Sequence, residues 1–239
     1  MVWGLEEPSG FGIYFPHGDY PGWKERLEAY WRNEMSEEER KRIQAPYPND
    51  YNYYATRKFS REIGASIHLD GPVMLTPLLP NECPWEFRAE KTVRELGSLL
   101  KLKSMLLAVD EPLKALIEGL EPGRHQFWPL RITGPNGADY PVRYYAMVVH
   151  RYLDSFRPEQ STPGCWTKSD SQTLDWYYSR GDLKASYAGL ALEESAIAGA
   201  HIWYERRLRS PNLFISDTLQ AEIKRAGLKV WKHYRMKSV

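Results

Sequence analysis

Residues 104–132 read SMLLAVDEPLKALIEGLEPGRHQFWPLRI, and this stretch indicates the fold most directly. Asp110 follows a short apolar strand and has a side chain suited to cap a helix N-terminus. The next apolar residues recur at intervals of three and four, which predicts one helix face made of Leu113, Leu116, Ile117 and Leu120. Gly123 lies past the last of them, where glycine often ends a helix. HQFWPLRIT (125–133) then predicts a strand.

A hairpin is predicted directly after that strand. Gly134-Pro135-Asn136-Gly137 is a turn sequence, because Asn-Gly readily adopts the positive φ angles that hairpin turns require. The following YPVRYYAMVV (140–149) alternates at first and becomes apolar on both faces toward its end. A strand that is apolar on both faces is typical of the middle of a sheet. We therefore expect this strand to be central and covered on both sides.

A second unit near the C-terminus repeats this order of elements. LFI (213–215) predicts a strand, Ser216 a helix cap and Gly227 the helix end, with Leu219, Ile223 and Ala226 on one helix face. LKVWKHYRM (228–236) is predicted as the next strand, with Trp231 in the place that Trp128 has in the first unit. Two similar strand–helix–strand units predict an α+β fold, with helices packed on a mixed or antiparallel sheet.

The first 95 residues differ in character, being rich in Pro, Gly and aromatic residues. Short helices are predicted after Pro21-Gly22 and after Ser36, whose spacing to Glu39 is that of a capping box. QAPYPNDYNYY (44–54) is predicted as a loop with exposed tyrosines. We therefore expect an irregular, helix-containing region over 1–95, packed on an α+β domain over 96–239, with the two forming one continuous globule.

The composition excludes several classes of protein. The chain has 239 residues, a mass of 27.9 kDa and a formal net charge of +1. No apolar run approaches the roughly 18 residues of a membrane span, and MVWGLEEPSGFG lacks the features of a signal peptide. Two cysteines, Cys83 and Cys165, are too few for a disulfide scaffold and suit a reducing compartment. We expect a cytoplasmic protein that neither spans nor binds a membrane.

Motifs for catalysis and cofactor binding are missing from the sequence. None of the six histidines has another at i+4, and HExxH, GxSxG, GxGxxG and the phosphate-binding GxxxxGK[ST] do not occur. We expect no catalytic residue, no metal and no cofactor. His201 and Glu205 would share one face of a helix, so a hydrolase that uses this pair with scattered carboxylates remains an alternative.

Aromatic and basic residues point toward binding. Aromatic residues make up 13% of the chain, with 9 Trp and 16 Tyr, which suits either a ring-rich core or a recognition surface. Residues 206–239 carry a net charge of +7, and KVWKHYRMK interleaves rings with cations as some nucleic-acid-binding segments do. A half-buried strand gives the same alternation and is the interpretation that we favour, so no nucleic acid partner is expected.

The stretch quoted above resembles the immunity proteins of bacterial polymorphic toxin systems, in the family numbered eleven. The resemblance rests on the helix ending Leu120-Glu121-Pro122-Gly123 and on His125, Phe127 and Pro129 in a G-x-H-x-F-x-P arrangement. His201 with Trp203 is similar to the family's His-x-Trp element, and residues 213–232 are similar to its closing strand–helix–strand. The resemblance covers residues 96–236.

The resemblance implies a protein that binds and neutralises a cognate toxin by covering its active or functional surface. The family's motif positions are expected to define the fold, namely Gly123, His125, Phe127, Pro129, His201, Trp203 and Ser216. Toxin contacts are expected outside them, at Tyr51, Tyr53, Tyr54, Trp166, Asp170, Asp175, Trp176, Tyr177 and Tyr178. The partner is expected to be a toxin protein, and a homodimer would need an open sheet edge.

Overall fold

A computed structural model describes residues 1–44, 51–59, 77–169 and 176–239. The α-helices are α1 (Trp23–Ala29), α2 (Glu37–Gln44), α3 (Tyr51–Arg57), α4 (Glu111–Leu120), α5 (Leu183–Gly189), α6 (Glu194–Ile197) and α7 (Asp217–Arg225). The strands are β1 (Val2–Leu5), β2 (Gly18–Asp19), β3 (Glu86–Ala89), β4 (Leu99–Lys101), β5 (Leu107–Asp110), β6 (Gln126–Thr133), β7 (Tyr144–Val148), β8 (Tyr152–Leu153), β9 (Trp166–Lys168), β10 (Tyr177–Ser179), β11 (Ala191–Leu192), β12 (Ile202–Glu205), β13 (Leu208–Ser210), β14 (Leu213–Ser216) and β15 (His233–Ser238). The predicted α+β class is confirmed.

One six-stranded sheet, called sheet I, has the order β2-β3-β6-β7-β5-β4. β7 lies between β6 and β5 and is antiparallel to both, with Ala146 opposite Trp128 on one side and Ala108 on the other. The predicted hairpin and the predicted central strand are therefore both confirmed. Asp110 caps α4 as predicted, since its carboxylate accepts a hydrogen bond of 2.9 Å from the Leu113 amide.

A second six-stranded sheet, called sheet II, has the order β11-β15-β1-β14-β12-β8. Its central strand β1 comes from the N-terminus and is antiparallel to both neighbours, β14 and β15. Ser216 caps α7 as predicted, accepting a hydrogen bond of 3.1 Å from the Leu219 amide. The cap fixes the first turn of α7 where it leaves the sheet.

The two predicted strand–helix–strand units share one topology. In sheet I, β5 and β6 flank β7, and α4 connects them; in sheet II, β14 and β15 flank β1, and α7 connects them. In sequence, the middle strand β7 of sheet I follows β5, α4 and β6, whereas the middle strand β1 of sheet II precedes β14, α7 and β15. The sequence pattern found both units, but it did not show that residues 2–5 complete the second one.

The strand predicted over 228–236 is wrong in its first half. β15 begins only at His233, and Trp231 lies before it as a buried core residue. The backbone of 228–232 bonds outside the strand ladder, because the Lys229 carbonyl accepts from the Ser98 amide at 2.7 Å and the Lys232 carbonyl from the Glu6 amide at 2.8 Å. This segment therefore joins the two sheets before the chain enters sheet II.

Three apolar cores lie in successive layers. The middle core is shared by both sheets and by α4 and α7, with Leu113 and Ile117 of α4 close to Leu219 and Ile223 of α7. Burying each of these aliphatic side chains contributes about 1.5–3 kcal/mol. A second core lies against sheet I under α1 and α3, and a third lies against sheet II beside α5 and β10. The first 95 residues supply strands to both sheets, because β1 belongs to sheet II and β2 and β3 belong to sheet I.

Candidate functional site

The G-x-H-x-F-x-P motif forms a buried polar junction between the two units. The Glu121 carboxylate accepts from His125 Nε2 at 3.1 Å and from the Ile202 amide at 2.9 Å, and it pairs with Arg151 at 3.1 Å. Burial opposes ionisation of Glu121, but these hydrogen bonds and charges outweigh it and hold its pKa below the usual value. The His150 amide donates to His125 Nδ1, so Nε2 carries the proton that faces Glu121.

Other motif residues occupy positions with structural roles. Gly123 has φ +66° in the turn after α4, a conformation that favours glycine. Phe127 packs against the middle core. Pro129 lies on β6 opposite Tyr145 of β7, ahead of the point where β3 joins β6 at Arg131, so its missing N–H interrupts no bond to β3.

The His-x-Trp element anchors sheet II. His201 Nδ1 lies 2.9 Å from Ser216 Oγ, the same atom that caps α7. Trp203 is fully buried and stacks on Phe214 with a centroid separation of 5.8 Å. These contacts tie β12 to β14 and to the start of α7. They support the predicted structural roles, which remain predictions until the positions are mutated.

The geometry proposed for a hydrolase is wrong. Residues 202–205 form a strand rather than a helix, so His201 and Glu205 lie about 13 Å apart along the chain instead of one helical turn. Glu205 is fully buried, and its carboxylate accepts from the amide and the hydroxyl of Ser155 and from the Arg207 amide. Burial raises the pKa of Glu205 even though these bonds favour the charged form. Across the described ranges, no three His, Cys, Asp or Glu side chains gather as metal ligands would.

The first group of predicted toxin contacts lies mostly in the core. The loop expected at 44–54 is wrong from residue 51 onward, where α3 begins. Tyr51 and Tyr54 are only 7% and 2% exposed, and the Tyr51 hydroxyl donates to Glu82 at 2.8 Å. Tyr53 points outward and is 46% exposed. The exposure expected for Tyr51 and Tyr54 is therefore wrong, because the helical period turns them toward sheet I.

The second group lies on a three-stranded sheet of order β13-β10-β9. Tyr178 is exposed, Trp166 and Trp176 are half-buried, and the guanidinium carbon of Arg209 lies 3.3 Å from the Trp176 ring centroid. Tyr177 is buried in the third core, so the exposure expected for it is wrong. Asp170 and Asp175 lie outside the described residues. This sheet combines aromatic rings with cations, as protein interfaces often do.

A surface that the sequence analysis did not predict lies where the loop at 11–18 meets β2 and β4 of sheet I. A groove of about 430 Å³, called the Phe11 groove, is lined by side chains that include Phe11, Phe15, His17, Lys101, Lys103 and Met105. A neighbouring pocket of about 360 Å³ shares Lys103 and Ser104 with it and reaches Asn52 and Thr56 of α3. The apolar run FGIYF (11–15) in a loop was the sequence signal that could have indicated it.

These features define a class of protein before any family is considered. Two sheets fixed by a shared core carry exposed aromatic surfaces, and the polar junctions at Glu121 and Glu205 are bonded within the fold. Exposed rings on a frame of this kind are typical of proteins that act through a binding surface. Within the described part of the chain, no helix combines the length and apolar character needed to cross a membrane.

The comparisons with known proteins identify the family. Residues 23–238 match the model of the immunity protein family (Imm11), and the chain belongs to that family. The match begins well before residue 96, so α1–α3 and β3 belong to the family region too. No curated protein matches the chain. Membership of an immunity protein family indicates an immunity function against a toxin.

Proposed function

We propose that this protein binds a cognate antibacterial toxin of a polymorphic toxin system in the cytoplasm and covers the surface that the toxin needs to act. The observation that carries the proposal is membership of the immunity protein family over residues 23–238. The partner is a protein, and the interaction involves neither nucleic acid nor a membrane.

A rigid frame supports inhibition by binding. A shared core and the Glu121 junction fix the two sheets against each other, so that residues carried by the two sheets keep their relative positions when a partner binds. Less ordering leaves more of the contact energy for affinity. An immunity protein must hold its toxin tightly, and preorganisation is one route to slow dissociation.

Exposed aromatic side chains supply candidate anchors. Tyr53 and Tyr178 are exposed, Trp166 and Trp176 are half-buried, and the Arg209 guanidinium lies over the Trp176 ring. Tyr and Trp often dominate interface energies, because they bury much area with few rotatable bonds. We propose that some of these four contact the toxin, together with the segment that contains Asp170 and Asp175.

Co-expression with the product of the adjacent upstream gene tests the proposal. We expect that gene to arrest growth when expressed alone, and this protein to restore growth and to co-purify with the product as a stable complex. The matched control is the Trp203→Asp variant, which places a charge in a fully buried site and should abolish both rescue and complex formation. An upstream product that is harmless alone, or lethal without rescue or complex, would refute the proposal.

A further inference from the structure

The Phe11 groove is built on a loop that the fold holds on both sides. The Gly97 amide donates to the Ile13 carbonyl and the Lys101 amide to the Tyr14 carbonyl, both at 2.8 Å. On the other side, the Glu90 amide donates to the His17 carbonyl at 2.8 Å. The loop over residues 11–18 is therefore fixed against β4 and against the end of β3. Its backbone is therefore held in place by the rest of the fold.

Two large apolar side chains on this fixed frame face solvent. Phe11 is 63% exposed and Met105 is 39% exposed, and both line the same groove. Phe11 contacts the rings of Phe15 and His17, with centroid separations of 4.8 Å and 4.3 Å. The groove volume falls within the roughly 300–1,000 Å³ that ligand pockets occupy.

The backbone beside the groove is strained. Ser104 and Met105 have φ values of +57° and +66°, a left-handed conformation that side chains other than glycine rarely adopt. Strain of this kind persists where the surrounding structure enforces it, and it concentrates at functional sites. Here it directs Met105 into the groove lining. Glycine at residue 104 or 105 would allow the same turn without this strain.

The charges in the groove lining favour an acidic partner. Two lysines, Lys101 and Lys103, line the groove, and the lining carboxylate of Glu90 pairs with His17 at 2.8 Å. Lys101 is almost buried, paired with Glu7 at 2.8 Å and 4.2 Å from the Phe15 ring centroid. Lys103 pairs with Asp19, but both side chains are more than half exposed, so this pair contributes little stability and can be exchanged.

From this geometry we infer that the Phe11 groove is a further part of the toxin-binding surface, beyond the four rings proposed above, and that it takes a large apolar side chain next to a carboxylate on the toxin. The apolar side chain enters between Phe11 and Met105, and the carboxylate replaces Asp19 as the partner of Lys103. Burial of the rings supplies affinity, and the charge pair sets orientation. The inference rests on the proposed function and names the surface through which it operates.

The test measures binding of the purified upstream gene product to variants of this protein by calorimetry. We expect Phe11→Ala with Met105→Ala to weaken binding by about 30-fold or more, the loss typical of an interface hot spot. Trp85→Ala is the matched control, because it removes an exposed ring outside the groove, and binding should change less than about threefold. Circular dichroism and melting temperature confirm that each variant is folded.

Charge variants test the chemistry of the partner. We expect Lys103→Glu to weaken binding about tenfold or more, and Asp19→Asn to leave it unchanged or stronger, because the substitution frees Lys103 for the toxin carboxylate. The Asp19→Asn substitution also keeps a side-chain oxygen that can accept from the Tyr20 amide, as Asp19 does. The reverse pattern, with Lys103→Glu neutral and Asp19→Asn weaker, would overturn the acidic partner.

Hydrogen exchange on the wild-type complex provides a measurement independent of variant folding. We expect the toxin to protect backbone amides in residues 11–18 and 101–105. If the complex forms without this protection and tolerates the Phe11 and Met105 substitutions, the groove does not bind the toxin. The proposed function would still stand in that case. A wild-type protein that neither binds nor rescues overturns the proposed function itself, and the inference with it.

Discussion

A buried ion pair joins the end of α3 to the turn at 80–82 that precedes β3. Lys58 and Glu82 are 2% and 1% exposed, and Lys58 Nζ lies 2.8 Å and 2.7 Å from the two Glu82 carboxylate oxygens. The same carboxylate accepts from the Tyr51 hydroxyl and the Leu79 amide, each at 2.8 Å. Replacing Lys58 with Met keeps most of the side-chain volume but removes the charge that balances Glu82.

The expected loss of stability follows from the hydrogen bonds that the Glu82 carboxylate loses when Lys58 is replaced. Two charge-assisted hydrogen bonds disappear, each worth about 1.5–3 kcal/mol, and the carboxylate stays buried with the bonds from Tyr51 and Leu79. Breaking one side of a buried ion pair usually costs about 3–5 kcal/mol. We therefore expect Lys58→Met to lower the free energy of unfolding by about 4 kcal/mol. For a chain of this size, that lowers the melting temperature by about 8–16 °C.

Urea unfolding followed by tryptophan fluorescence measures this cost. Tyr51 and Leu79 donate to different oxygens of Glu82, and Glu82→Gln keeps one of these acceptors while it removes the buried charge. The double variant Lys58→Met/Glu82→Gln should therefore cost about 2 kcal/mol less than the sum of the single variants. The exposed pair Lys41–Glu37, also 2.8 Å apart, is the matched control. Lys41→Met should change stability by less than about 1 kcal/mol.

Two results would refute this reasoning. Lys58→Met could unfold within about 1 kcal/mol of wild type, so that the buried pair behaves like the exposed Lys41–Glu37 pair. Alternatively, the single-variant costs could simply add in the double variant, which would mean that the two charges do not interact energetically.

Three further predictions concern stability and reactivity. Ser216→Ala removes the cap on the Leu219 amide and should cost about 1 kcal/mol, or about 2–4 °C in melting temperature; an unchanged melting temperature would contradict the cap. Because burial raises the pKa of Glu205, the folded state favours its protonated form, so the stability it contributes is complete below its ordinary pKa of 4.5 and is lost as pH rises through the raised value. The wild-type melting temperature should therefore fall relative to that of Glu205→Gln between about pH 4 and pH 8, whereas parallel curves would contradict this. Burial raises the pKa of Cys83 to about 12 and also raises that of Cys165, so a colourimetric thiol reagent at about pH 8 should label both only after denaturation, and rapid labelling of the native protein would contradict their burial.

Local sequence patterns predicted the regular elements well. Asp110 and Ser216 mark helix starts because capping depends on residues three positions apart, and both caps form as expected. The hairpin at 134–137 and the central position of β7 also follow from local alternation and turn chemistry. Family motifs added the resemblance, and the family match confirms and extends it from 96–236 to 23–238.

Long-range strand pairing and side-chain exposure could not be predicted from local sequence patterns. β1 has only four residues, and nothing local says that it lies between β14 and β15, more than 200 positions away. Tyr51 and Tyr54 looked like loop residues because QAPYPND precedes them, yet α3 turns both into the core. Phe11 lies in a loop whose Ile13 and Tyr14 carbonyls accept from the Gly97 and Lys101 amides, and contacts this distant leave no local sequence pattern. The candidate surface was therefore the least predictable part.

The position of β1 has a consequence for synthesis of the protein. The ribosome makes residues 2–5 first, but both of their sheet partners lie in residues 213–238. At roughly 5–20 residues per second, β1 waits on the order of ten to fifty seconds for β14 and β15 to emerge. Sheet II therefore closes only when the last strand has left the ribosome, and with it the core shared by both sheets. A chain released before residues 233–238 are made would leave β1 with only one of its two partners in sheet II.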